Sequence, residues 1–123
     1  MGKKRILIVD DEKAIRATTA MALESVKYEI DVAENGVQAI ECLNKISYDL
    51  IITDYSMPEM DGLEMIGIIA SKYPNLPVLM ITAQESAPDM LRGKNVSFFP
   101  KPFKVIELQN RVEGILNGIN PGS

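Results

Sequence analysis

The chain has 123 residues and a formal charge of −4, which suits one domain and argues against bulk binding to a phosphate backbone. A single cysteine, Cys42, excludes an internal disulfide framework, and 46% hydrophobic with 24% charged residues is a globular balance. Apolar stretches as short as Ile6–Val9 and Met65–Ala70 exclude a membrane span, and Asp10 ends the first too early for a signal peptide, so a cytoplasmic domain is expected.

Arg5–Asp10 is apolar up to its aspartate and reads as a strand buried on both faces. Ile15, Thr19, Ala22, Leu23 and Val26 recur at three- and four-residue steps, one face of a helix. Tyr28–Ala33 sets Tyr28, Ile30 and Val32 against Glu29 and Asp31, the alternation of an edge strand with one wet face. Asn35 is placed to cap a second helix, with Gln38 completing a capping box. Asp49–Asp54 is a third, buried strand. Asp61 and Glu64 repeat the capping pattern before a helix over 62–72, and Pro74 and Pro77 bracket the turn into a strand over 78–82.

Between Thr82 and Phe98 only a short helix fits, about residues 87–92, with Pro88 in its first turn and Gly93 as its stop. Val96–Lys101 is the fifth strand. A last helix carries Val105, Leu108, Val112, Ile115 and Leu116 inward and frays at Asn117-Gly118. Cys42 and the seven methionines read as helix packing and core filler.

Alternating strands and helices with short connections predict a doubly wound α/β fold. Its five-stranded parallel sheet has order 2-1-3-4-5, a flavodoxin-like arrangement with helices on both faces. The expectation is one domain, with its core over about 4–116 and a tail over 117–123. Ligands of such sheets bind beyond the carboxyl ends of the strands, where the order reverses between strands one and three. Asp10 and Asp11 end the first strand, Asp54 the third, Thr82 the fourth and Lys101 the fifth. Singly these are a helix cap, a turn residue, a loop cap and a solvated charge. Together they are three carboxylates in one crevice, whose repulsion a single lysine cannot offset. A divalent ion can, and oxygen ligands in a chain without histidine select Mg²⁺ or Mn²⁺ over Zn²⁺. Such a site leaves one carboxylate oxygen free as a nucleophile, with Thr82 and Lys101 able to donate to a phosphoryl group in transit.

The motifs Val9-Asp10-Asp11, Asp54-Tyr55-Ser56-Met57-Pro58-Glu59-Met60-Asp61-Gly62, Thr82-Ala83 and Lys101-Pro102-Phe103 resemble those of two-component response-regulator receiver domains, and the likeness runs from about Lys4 to Leu116. The resemblance implies that Asp54 is the phosphoacceptor. It implies that Asp11 binds Mg²⁺ directly and Asp10 mainly through a water. Asp54 and the Ser56 carbonyl would complete the protein ligands. Lys101 would pair with the carboxylate and then the phosphate, Thr82 would bond a phosphoryl oxygen, and Phe98 would be the switch aromatic. A cis Lys101–Pro102 bond is implied too.

The function so implied is a switch phosphorylated from a phosphohistidine of a sensor kinase or phosphotransfer protein. It would signal to a downstream target, or to an output domain elsewhere in a longer protein. It is an enzyme only in catalysing its own phosphorylation and dephosphorylation. Lys104 stands where relatives often carry a Ser or Thr cap, which predicts a loose start to the last helix.

Rival readings fit less of the sequence. An inactive receiver-shaped interaction module would not need the acidic cluster with Thr82 and Lys101. A dehalogenase-type phosphohydrolase wants Asp-x-Asp on the first strand, and a flavodoxin-like carrier wants a phosphate loop where Asp10-Asp11-Glu12 would repel one.

Overall fold

All six residues of β1 (Lys4–Val9) pair with β2 (Tyr28–Ala33), and its apolar four, Ile6–Val9, also pair with β3 (Leu50–Asp54), which puts the most apolar run inside the sheet. β4 (Val78–Thr82) extends the sheet from β3, and β5 (Val96–Pro100) closes it, giving the order β2-β1-β3-β4-β5 with every pair parallel. This computed structural model describes residues 3–24, 27–54, 62–82 and 95–118. Its helices are α1 (Lys13–Leu23), α2 (Gly36–Lys45), α3 (Gly62–Lys72) and α4 (Val105–Leu116). The expected order and architecture are those observed, with strand ends within one residue of expectation. Val26, Asp61 and the short helix expected at 87–92 lie outside the described residues.

Because strand side chains alternate, a run buried on both faces must serve two cores. Leu7, Val9, Ile51, Val78 and Met80 pack beneath Ala39 and Leu43 of α2 and Met65, Ile66 and Ile69 of α3. Ile6, Ile8, Leu50, Ile52, Leu79 and Ile81 face the other way, against Leu23 of α1 and Leu108 and Val112 of α4.

Four apolar residues depart from expectation. Ile15 and Val105 are 40% and 50% exposed. They lie on the inward face of their helices, but α1 and α4 each follow the carboxyl end of a strand, so their first turns overhang the rim of the sheet. Met21 is 74% exposed, two residues from the buried Thr19 and so off the inward face. Only Met65 and Met80, among the described methionines, are core filler. Val32 is exposed because β2 has a neighbour on one side alone.

The helix starts follow local chemistry. Asn35 Oδ1 accepts the Gln38 amide at 2.9 Å, while Gln38 Oε1 accepts the amide of Glu34, one residue before the cap. At α4 the Lys104 ammonium has no lone pair with which to cap, and Glu107 Oε1 instead accepts the Lys104 amide at 2.7 Å. The helix therefore starts at Val105 on the strength of its third residue. No helix among the described residues is long and apolar enough to cross a membrane.

Candidate functional site

The sheet register brings the acidic residues to one edge. Val9 pairs with Thr53 in the neighbouring strand, so Asp10 and Asp54 each stand one step further on, side by side at the carboxyl rim. Asp10 is 7% exposed; its amide donates to the Ala33 carbonyl at 3.2 Å and its Oδ1 accepts the Glu12 amide at 2.9 Å. Asp11 and Glu12 are exposed. One carboxylate oxygen from each of Asp10, Asp11 and Glu12 lies within 4.8 Å of the other two. Glu12 was not anticipated in this group; its place directly after the aspartate pair was the available signal.

Burial pushes the Asp10 carboxyl above its ordinary range, and the charges of Asp54 and Asp11 push the same way, against the opposing Glu12 amide and Lys101 ammonium. Such a group gains from a cation. The converging donors are all oxygen, which fits a hard divalent ion such as Mg²⁺ better than one that prefers nitrogen or sulfur.

Asp54, at the end of β3, is half-buried, and Lys101 Nζ lies 3.2 Å from its Oδ1. The chain carrying that lysine is held by aromatic packing. The Phe99 and Phe103 rings are 4.8 Å apart, and the Arg111 guanidinium lies 5.2 Å above the Phe99 ring while its Nη1 donates to the Phe98 carbonyl at 3.3 Å. The Lys101–Pro102 bond between the rings is cis, as the resemblance implied. Phe98 itself is partly buried against the core under α2 and α3. The main chain of Thr82 ends β4, paired with Pro100. Ser56 and the side chain of Thr82 lie outside the described residues.

A second basic residue meets the acidic loop. Arg16, its side chain 12% exposed, donates from Nη1 to the main-chain carbonyl of Asp10 at 2.8 Å, and its Nη2 stands 3.8 Å from Glu34 Oε1.

Residues 6–113 match the family model for the response regulator receiver domain. The chain belongs to that family. Receiver domains act in two-component signalling as phosphoacceptors, and generally bind Mg²⁺ at an acidic cluster such as the one at this rim. Among curated relatives, the response regulator MprA of Mycobacterium leprae (strain TN) is 33% identical over 120 residues, covering 95% of this chain and 53% of its own. The chain thus spans about half the length of the curated relatives it matches. Among solved structures, the non-phosphorylated HemR receiver domain from Leptospira biflexa is 32% identical, with a TM-score of 0.83 over 97% of this chain and 98% of that one. The chemotaxis response regulator CheY4 of Vibrio cholerae is 29% identical, with a TM-score of 0.81 over 93% and 99%. Both solved structures share the fold of this chain.

Proposed function

We propose that this receiver domain accepts a phosphoryl group on Asp54 from a phosphohistidine of a sensor kinase or phosphotransfer protein, in a Mg²⁺-dependent reaction. Asp10, Asp11, Asp54 and the Ser56 carbonyl are the proposed metal ligands, with Thr82 and Lys101 as the groups that receive the phosphoryl oxygens. The observation that carries the reading is the 3.2 Å approach of Lys101 Nζ to Asp54 Oδ1 beside the carboxylates of the β1 end. A carboxylate held at a positive charge has the charge balance that phosphoryl transfer asks for.

In the reaction an Asp54 oxygen forms a bond to phosphorus while the phosphorus–nitrogen bond of the donor breaks, its electron pair leaving with the imidazole. Lys101 and Thr82 donate to the phosphoryl oxygens, where charge concentrates. A bound Mg²⁺ supplies further positive charge to the same oxygens. The product is an acyl phosphate; water attacking its phosphorus releases inorganic phosphate and restores the carboxylate. The same charge redistribution is the proposed signal. Thr82 drawn toward the phosphate leaves room for Phe98 to turn inward, shifting the population between two surfaces around β5 and α4. A downstream protein, or an output domain in a longer chain, reads that surface.

Incubation with Mg²⁺ and acetyl phosphate tests the assignment. Intact mass is expected to show one added phosphoryl group in the wild type and none in Asp54→Ala; labelling that survives the substitution overturns it.

A further inference from the structure

We infer that Arg16 is a positioning residue for the acidic loop, and that with Glu34 it sets the affinity of that loop for a divalent cation. This rests on the metal-site reading above. The loop from Asp10 to Glu12 is held at both ends by this one residue. The Arg16 side chain donates to the Asp10 carbonyl at 2.8 Å, and the Arg16 amide donates to the Glu12 carbonyl at 3.0 Å. Both bonds go to main-chain oxygens, so neither occupies a carboxylate of the loop. Between those anchors, the Glu12 amide closes onto Asp10 Oδ1 at 2.9 Å, which leaves Asp10 Oδ2 outside that bond.

Glu34 orients the guanidinium from the other side. Its Oε1 lies 3.8 Å from Arg16 Nη2, its Oε2 accepts from Gln38 Nε2 at 3.4 Å, and its amide donates to Gln38 Oε1 at 2.9 Å. The Gln38 amide in turn donates to Asn35 Oδ1, the N-cap of α2. A continuous set of polar contacts therefore links the start of α2 to the loop that carries three of the rim carboxylates.

Two effects of removing Arg16 oppose each other, so the sign of the change decides between them. A guanidinium near the cluster repels a cation, and charge alone predicts tighter binding once it is gone. Loss of loop geometry predicts weaker binding, and outer partners of metal ligands typically contribute about 10–100-fold in affinity. Arg16 is already opposed by Glu34 and aims at a carbonyl, so geometry dominates.

The test is a Mn²⁺ titration of the full chain, read by water-proton relaxation, at a temperature where circular dichroism shows each variant folded. Arg16→Gln is expected to weaken Mn²⁺ binding about tenfold and to speed hydrogen exchange at the Glu12 amide. Glu34→Gln is expected to weaken binding by roughly threefold, as the smaller part of the same outer-partner effect. Unchanged or tighter binding in Arg16→Gln overturns the inference, even where Asp11→Asn abolishes binding and so upholds the metal site. Should Arg16→Gln not fold, Glu34→Gln at wild-type affinity overturns it instead. A wild type that binds no Mn²⁺ at these carboxylates overturns the reading beneath and the inference with it.

Discussion

Lys101 and Asp54 are 47 positions apart in the chain and 3.2 Å apart in space. Their strands are not neighbours: β4 lies between β3 and β5, so the two backbones are separated by two strand spacings, about 10 Å. The length of a lysine stem spans that gap across the rim. A shorter cation at this position would not reach.

Replacing the lysine separates its catalytic from its structural part. Lys101→Met is expected to slow phosphoryl incorporation from acetyl phosphate by roughly 10²-fold or more, the scale for losing one donor to developing charge. Stability should change by less than about 1 kcal/mol, because the ammonium is exposed to solvent. A mass-spectrometric time course beside a urea melt measures both.

Asp10 is predicted to oppose folding in the absence of metal. Burial and the neighbouring carboxylates raise its folded-state pKa above the unfolded value, so its favourable contribution is complete below the ordinary carboxylate range and is lost as pH rises through the folded value. Asp10→Asn keeps an oxygen for the Glu12 amide and removes the charge. At pH 7 with chelator the variant should be more stable by about 1 kcal/mol, with the gain fading toward pH 3. Added Mg²⁺ should stabilise the wild type and not the variant. Thermal melts across that pH range check the sign.

At the opposite end of the strands Tyr48 donates to Asp31 Oδ2 at 2.7 Å, and Arg5 Nη1 donates to the same oxygen at 3.0 Å. Burial raises the Tyr48 pKa far above that of a free phenol, reinforced by the Asp31 carboxylate; burial raises Tyr28 as well, helped by Glu113. The stability these phenols contribute is complete below about pH 10 and is lost as pH climbs above it. Tyr48→Phe should lose about 1 kcal/mol at pH 7 and show a shallower alkaline decline than the wild type. Urea midpoints at pH 7, 9 and 10.5 give the comparison.

The methionines offer a contrast between surface and core. Met80→Ala, at a fully buried position of β4, should lose about 2–5 kcal/mol. Met21→Ser, at an exposed position of α1, should stay within about 0.5 kcal/mol of wild type. A Met21→Ser variant as damaged as Met80→Ala would mean that this face of α1 is covered in solution. Denaturant titration of both decides it.

Most of the fold was legible because its determinants are local or periodic. Continuous apolar runs marked the inner strands, alternation marked β2 as the edge, and Asn35 marked the start of α2. The same patterns misplaced Ile15 and Val105, since helical periodicity reports which way a residue points and not whether the sheet extends beneath it. The aspartates and the lysine of the site were legible as strand-end residues. Glu12 and Arg16 were not, because their roles depend on how a loop turns.

The residue order by itself determined the alternation of strands and helices, the faces of the core and which charged groups end which strands, since hydrophobic period and strand ends are properties of short segments. Tertiary structure alone decided that Lys101 reaches across β4 to Asp54, that Glu12 joins the aspartates, and that Arg16 holds their loop through main-chain oxygens. The first depends on register, twist and side-chain reach between segments 47 positions apart, the others on how the loop after β1 turns, and hydrophobic periodicity encodes neither.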